Sequence, residues 1–293
     1  MELLDGKKLA EQIKLEIKEE VDQLIASGKK RPHLAAILVG DDPASAVYVR
    51  NKIKVCEAVG FTSSLIRLSE DCEEEEVLKE VERLNQIEDV DGFIVQLPLP
   101  AHINEERVNL AIDPKKDVDG FHPLNVGRMS LGLSAYLPAT PQGILYFLDR
   151  YGIETKGKNC VVVGRSNIVG RPMSILLSQK APYGNATVTV CHRHTHNMDE
   201  ILKNADIIIA AVGVAHFIKA HQVKEGAVVI DVGMNRIKDP SRKSGSRLVG
   251  DVDFDQVAPK TSFITPVPGG VGRMTVISLI INTLKAAKKE IYG

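Results

Sequence analysis

Three stretches of this sequence hold side chains whose types and spacing suit proton chemistry. Tyr48 and Lys52 stand four apart in Ser45-Ala46-Val47-Tyr48-Val49-Arg50-Asn51-Lys52, so a helix there puts both on one face. A lysine drawn into a cleft beside a phenolic hydroxyl can give or take a proton, because burial lowers its pKa toward neutrality. The same pair on an exposed helix face would only be solvated. Val95-Gln96-Leu97-Pro98-Leu99-Pro100 ends a strand with prolines and leaves Gln96 able to donate and accept. Lys116-Asp117-Val118-Asp119-Gly120-Phe121 is a loop with two carboxylates. Both stretches are expected just past strand C-termini, where parallel sheets bind their ligands.

A second group of residues points to a nucleotide. Val161-Val162-Val163-Gly164-Arg165-Ser166-Asn167-Ile168-Val169-Gly170 reads as a strand running into a glycine turn and then a helix. Glycine permits the tight turn, and the helix N-terminus offers unpaired N–H groups to a phosphate. The spacing is not G-x-G-x-x-G, so an ordinary strand–helix connection is the competing reading. The next strand ends in Cys191-His192-Arg193-His194, without the carboxylate that usually takes a ribose 2′-hydroxyl. The guanidinium fork of Arg193 could instead pair with a 2′-phosphate, which favours NADP over NAD, unless the loop is merely solvated. His192, His194 and His196 alternate, but no carboxylate or His-Glu-x-x-His pattern accompanies them, so no metal site is expected. Thr265-Pro266-Val267-Pro268-Gly269-Gly270-Val271-Gly272 is stiffened by proline, while its glycines let backbone approach a flat ligand or another chain.

Strand–helix alternation must position these groups. Leu9, Ile13, Ile17, Val21 and Leu24 recur at helical spacing, and residues 34–39 read as a buried strand. A helix over 44–59, a strand over 62–68, a helix through Val77, Val81 and Leu84, and a strand over 92–96 follow. The acidic run 73–76 reads as the solvated first turn of a helix. Residues 114–141 are rich in Gly, Pro, Asp and Asn with little periodicity, and the domain boundary is placed near their end. Thr140-Pro141 then suggests an N-cap with proline at the first helical position. Strands at 159–163, 186–191, 206–211, 227–232 and 262–264 complete the alternation. The pattern predicts an α/β fold of two domains with parallel sheets. The last helix could pack on either domain.

Composition excludes several classes. The 293 residues suit two domains, and 44% are apolar. Lys plus Arg number 37 against 38 acidic residues, so no general field draws nucleic acid or an anionic membrane. No apolar run is long enough to span a bilayer. Residues 1–6 show no basic leader, so no signal peptide is expected. The scattered Cys56, Cys72, Cys160 and Cys191 suit buried thiols in a reducing cytoplasm.

Taken in order, these segments resemble the methylenetetrahydrofolate dehydrogenase/cyclohydrolase family over essentially the whole chain. The marks are Tyr48-x-x-x-Lys52, Gln96-Leu97-Pro98, Lys116-Asp117-Val118-Asp119-Gly120, Pro138-Ala139-Thr140-Pro141, the 164–170 turn and Pro266-Val267-Pro268-Gly269-Gly270-Val271-Gly272. The resemblance implies a folate-binding catalytic domain of residues 1–138 plus 272–293, a Rossmann-type NADP domain of 139–271, and a cleft between them. It also implies a homodimer acting on tetrahydrofolate derivatives. Lys52 would be the acid/base residue, Tyr48 would stack on the pterin, Gln96 would hold Lys52, and Asp119 would bind the amino-pyrimidine edge. Val95, Leu97, Pro268, Gly269, Gly270 and Val271 would line the folate site. Gly164, Arg165, Ser166, Arg193 and Met234 would contact the cofactor. The family usually has Cys at Ala139 and Pro at Arg273, and the latter change adds a positive charge. Two other readings stay open: a dehydrogenase for another small substrate, and a catalytically silent nucleotide-binding regulator.

Overall fold

The computed structural model describes residues 1–242 and 245–292, with only the backbone of Pro43 and Ala44. It divides into two compact units, one of Glu11–Ala139 with Val276–Gly293, the other of Met1–Ala10 with Thr140–Thr275. Strand β1 (Glu2–Leu3) and helix α1 (Gly6–Ala26) open the chain.

In the first unit β2 (His33–Val39), α2 (Pro43–Ala58), β3 (Thr62–Leu68), α3 (Glu74–Gln86) and β4 (Gly92–Val95) alternate, followed by α4 (Glu105–Ala111) and α5 (Pro123–Ser130). The sheet order is β3-β2-β4 and all pairings are parallel. Every residue of the central strand β2 is buried, as a strand covered on both faces must be. Helix α2 packs on β2 and β3. Val77, Val81 and Leu84 recur along one side of α3 and join Ala35, Ile37 and Val39 in a common core. The acidic first turn of α3 is more than solvated, because Glu74 and Glu75 pair with Arg107 of α4 at 2.5 and 3.0 Å. Helix α5 lies in the stretch that reads as aperiodic. Its signal is a cap, His122 Nδ1 accepting from Leu124 N at 3.0 Å, which a periodicity search does not register.

The second unit continues with α6 (Ala139–Arg150), β5 (Asn159–Val163), α7 (Gly170–Ser178), β6 (Thr187–Cys191), α8 (Met198–Lys203), β7 (Ile207–Ala210) and β8 (Val228–Asp231). It ends with β9 (Asn235–Lys238), β10 (Ser246–Val249), α9 (Phe254–Val257), β11 (Phe263–Ile264) and the start of α10 (Val271–Ala287). The six-stranded order is β1-β11-β8-β7-β5-β6, and all its pairings are parallel. Strand β5 is flanked by β6 and β7, so the crossovers leave it in opposite directions and make a switch point at its C-terminal end. Val161, Val163, Ile208, Ala210, Val229 and Ile264 share the core.

Three boundaries differ from expectation. Residues 1–10 group with the second unit, because β1 extends its sheet alongside β11, and a two-residue strand has no periodicity to read. Residues 272–275 group with it as well. Helix α6 begins at Ala139, so Thr140 lies inside the first turn and its hydroxyl meets that of Thr275 at 3.1 Å instead of capping. Among the described residues no helix is long and apolar enough to cross a membrane.

Candidate active site

Helix α2 starts on a side-chain cap, with Asp42 Oδ2 accepting from Ser45 N at 2.7 Å. Tyr48 and Lys52 follow on one face, and Tyr48 is 37% exposed. At the end of β4, Gln96 N donates to Ile37 O at 2.9 Å, which continues the ladder with β2. Gln96 Nε2 donates to Leu97 O at 2.7 Å. That bond turns the amide so that Oε1 faces Lys52, whose Nζ donates to it at 3.1 Å. Val95 is buried at the strand end, and the Leu97–Pro98 bond is cis.

Asp119 reaches this place through its neighbour. Asp117 bridges to Phe93 beside β4, and its carboxylate accepts from Gly120 N, Phe121 N, His122 N and Asn125 Nδ2 at 2.8–3.3 Å. Asn125 also takes the Tyr292 hydroxyl at 2.8 Å. Asn282 Nδ2 holds the carbonyls of Val118 and Leu137 at 2.8 and 2.9 Å. Gly120 has φ +74°, and a Cβ there would lie 2.6 Å from the Leu137 carbonyl carbon, so only glycine closes this turn.

Electrostatically, burial lowers the Lys52 pKa from the ordinary lysine range, and the nearby Asp119 partly opposes the shift. Burial raises Asp119, and Lys52 opposes that in turn. Each charge makes the other tolerable, and the lysine is brought nearer to proton exchange. One turn on, burial pushes the Cys56 thiol up to about 12, so it stays neutral. Burial also raises the Tyr48 phenol.

In the other unit, β5 runs into Gly164, whose φ is +124° and whose Cβ would lie 2.1 Å from Ala211 O. The backbones after β5 and β7 therefore meet where a side chain would intrude. Ser166 Oγ accepts from Val169 N at 3.1 Å just before α7, and Arg165 and Ser166 are exposed. An exposed turn without side chain at its start, leading to a helix N-terminus at the switch point, fits the phosphates of a dinucleotide. Arg193, two residues past β6, is exposed, and its Nε donates to His194 Nε2 at 3.1 Å. Met234 follows β8 and is 45% exposed. Pro268, Gly269 and Gly270 follow β11, and buried Val271 starts α10. The close approach allowed by this loop is made by the chain itself, since a Cβ on Gly6 would meet Gly270 O at 2.1 Å.

Lys52, Gln96 and Asp119 are thus brought together in one unit, with Tyr48 on the same helix face. Gly164, Arg165, Ser166, Arg193, Met234 and Pro268–Gly270 belong to loops at the C-terminal edge of the other unit's sheet, and Val271 opens the helix after the last of them. Sequence reasoning singled out neither Asp231 nor Asp251, two buried carboxylates at this edge. An aspartate closing a strand before Val232-Gly233, and another directly after Gly250, were the available signals.

A family model described as the tetrahydrofolate dehydrogenase/cyclohydrolase catalytic domain matches residues 4–119, and its NAD(P)-binding domain matches 138–291. The bifunctional protein FolD of Bacteroides fragilis is 62% identical over 292 residues, covering 100% of each chain. The bifunctional FolD dehydrogenase/cyclohydrolase structure from Campylobacter jejuni is 47% identical, with a TM-score of 0.92 over 98% of this chain and 99% of that one. The Trypanosoma brucei enzyme, solved with NADP cofactor and inhibitor, is 38% identical, with a TM-score of 0.92 over 99% of this chain and 98% of that one. The chain belongs to the tetrahydrofolate dehydrogenase/cyclohydrolase family.

Proposed function

We propose that this chain oxidises 5,10-methylenetetrahydrofolate to 5,10-methenyltetrahydrofolate with NADP, then hydrolyses that product to 10-formyltetrahydrofolate. The observation that carries the reading is the partly desolvated Lys52, oriented by Gln96 and balanced by Asp119. NADP supplies the acceptor for the hydride that leaves the methylene carbon. Water then bonds to the resulting methenyl carbon, one carbon–nitrogen bond breaks, and the water's two hydrogens part as protons, one released to solvent and one carried to the departing nitrogen. Lys52 moves that proton, Gln96 aims its nitrogen, and Tyr48 stacks on and orients the pterin. Asp119 accepts from the amino-pyrimidine edge and supports the lysine's charge. Val95 and Leu97 line the folate site. No metal and no covalent nucleophile is needed. Following the methenyl chromophore with and without NADP tests both steps on one sample, and an enzyme inactive in both assays would end the reading.

Gly164, Arg165, Ser166 and Met234 contact NADP, with Arg193 on the 2′-phosphate. Arg193→Ser should raise the Michaelis constant for NADP by about 10- to 150-fold, the equivalent of roughly 1.5–3 kcal/mol for a charge-assisted contact. Equal efficiency of the parent enzyme with NAD and NADP would defeat this assignment. Arg273, exposed in the first turn of α10, is read as a solvent-facing charge. Arg273→Pro removes its N–H bond to Gly270 O but should leave the folate Michaelis constant within about twofold. A large rise with NADP binding intact would instead give the charge a ligand. A cytoplasmic homodimer goes with this reading, and sedimentation of the purified chain tests the assembly.

A further inference from the structure

The cofactor-side loops are tied together by two carboxylates that no step above uses. Asp231, the last residue of β8, is 3% exposed, and Asp251, shortly after β10, is 0% exposed. Asp231 Oδ1 accepts from Gly233 N and Asp251 N, and Oδ2 from Val252 N, each at 2.9 Å. Asp251 Oδ2 accepts from Val212 N at 2.6 Å and Gly213 N at 2.9 Å, and Oδ1 from Asn235 Nδ2 at 2.9 Å. The amides come from the connections after β7, β8 and β10, so the pair joins three loops, two of which also meet at the Ile218–Val252 bridge.

The space is shaped for them. A Cβ on Gly233 would lie 2.2 Å from Asp251 Oδ1, and one on Gly250 would lie 1.8 Å from Asp231 Oδ2. Burying two like charges is unfavourable, and burial pushes the Asp231 carboxyl up to about 6 with Asp251 adding to the shift. Apolar side chains could close these strands without that cost. What they could not do is satisfy five loop amides at fixed positions. The loop held by Asp251 is also the one that touches the glycine turn, since Val212 directly follows Ala211, whose carbonyl faces Gly164.

We infer that Asp231 and Asp251 are positioning residues for the dinucleotide, holding residues 212–213 and 233–234 in the shape that receives it. The inference rests on the NADP reading above. The test uses the full-length Asp251→Asn variant, which replaces one acceptor oxygen by a donor at unchanged size. NADP affinity is measured by fluorescence titration and by the rise in Tm on adding NADP. Cyclohydrolase activity is measured on the methenyl substrate without NADP. We expect the NADP Kd to rise about 10- to 100-fold, as for a lost charged acceptor with a donor left facing donors. Cyclohydrolase activity should stay within about twofold, because Lys52 lies in the other unit.

An unchanged Kd in the folded variant would overturn the inference. So would a parallel fall of both activities and Tm, which marks a purely structural role. If Asp251→Asn is insoluble, Asn235→Ala decides, since it removes one donor and leaves the carboxylate; a Kd rise of about 3- to 10-fold is expected and none would overturn the inference. A parent enzyme that binds neither NADP nor NAD would overturn the cofactor reading itself, whatever the variants do.

Discussion

Lys52→Met should bind NADP like the parent yet hydrolyse methenyltetrahydrofolate about 10²- to 10⁴-fold more slowly, the span expected for losing general acid–base help. Methionine matches the length of lysine and suits a helix nearly as well, so α2 should persist. What disappears is the nitrogen that donates to Gln96 Oε1 and the charge that offsets burial of Asp119. Asp119 should then hold its proton more tightly, and pterin binding should weaken as a secondary effect. Hydride transfer needs no proton from Lys52, so the dehydrogenase should survive in part, limited by substrate orientation. Both activities on one purified sample, with an NADP titration, decide the matter. A variant that binds NADP and hydrolyses at the parent rate would remove Lys52 from the mechanism, although the family would stand.

Gly164→Ala is expected to act on the fold and the cofactor at once. Its Cβ would need the place 2.1 Å from Ala211 O, and its φ of +124° is one that side chains resist. The obstacle is backbone at the end of β7, which cannot swing aside like a side chain. Overpacking and a strained dihedral together should cost about 2–6 kcal/mol. Tm should fall clearly, and NADP affinity should fall further than with any single loss of a phosphate contact. Calorimetry and an NADP titration at a temperature where the variant is folded test this. Parent values for both would mean that the two backbones do not meet as described.

Much of this was legible in the chain because it is periodic. The stripe Val77, Val81 and Leu84 and the buried run 34–39 carry their element types openly. Tyr48 and Lys52 were legible as a pair because four residues make a helical neighbour. Contacts across the fold are another matter. Lys52 meets Gln96 over 44 residues, a meeting that depends on β4 lying beside β2. Asp117 and Asp119 look alike in the loop, and one became its anchor while the other faces Lys52 electrostatically. No local rule separates them. Strand β1 and the β9–β10 ribbon were too short to show a period. Asp231 and Asp251 were hidden because their partners are backbone amides, which every sequence has.

The interleaving of the two units has a consequence for biosynthesis. Residues 11–139 leave the ribosome without α10, so Val118 and Leu137 wait for the amide of Asn282 and Asn125 waits for Tyr292. Residues 140–275, meanwhile, complete their sheet by returning to β1, made at the very start. Domains usually finish in order of synthesis. Here the unit whose larger part is made first is finished last, and the Asp119 loop gains its final supports only as the closing helix emerges. A chain truncated before residue 282 and released would therefore hold residues 140–275 folded on β1 while residues 11–139 lack the Asn282 and Tyr292 contacts, with apolar surface for chaperones to cover.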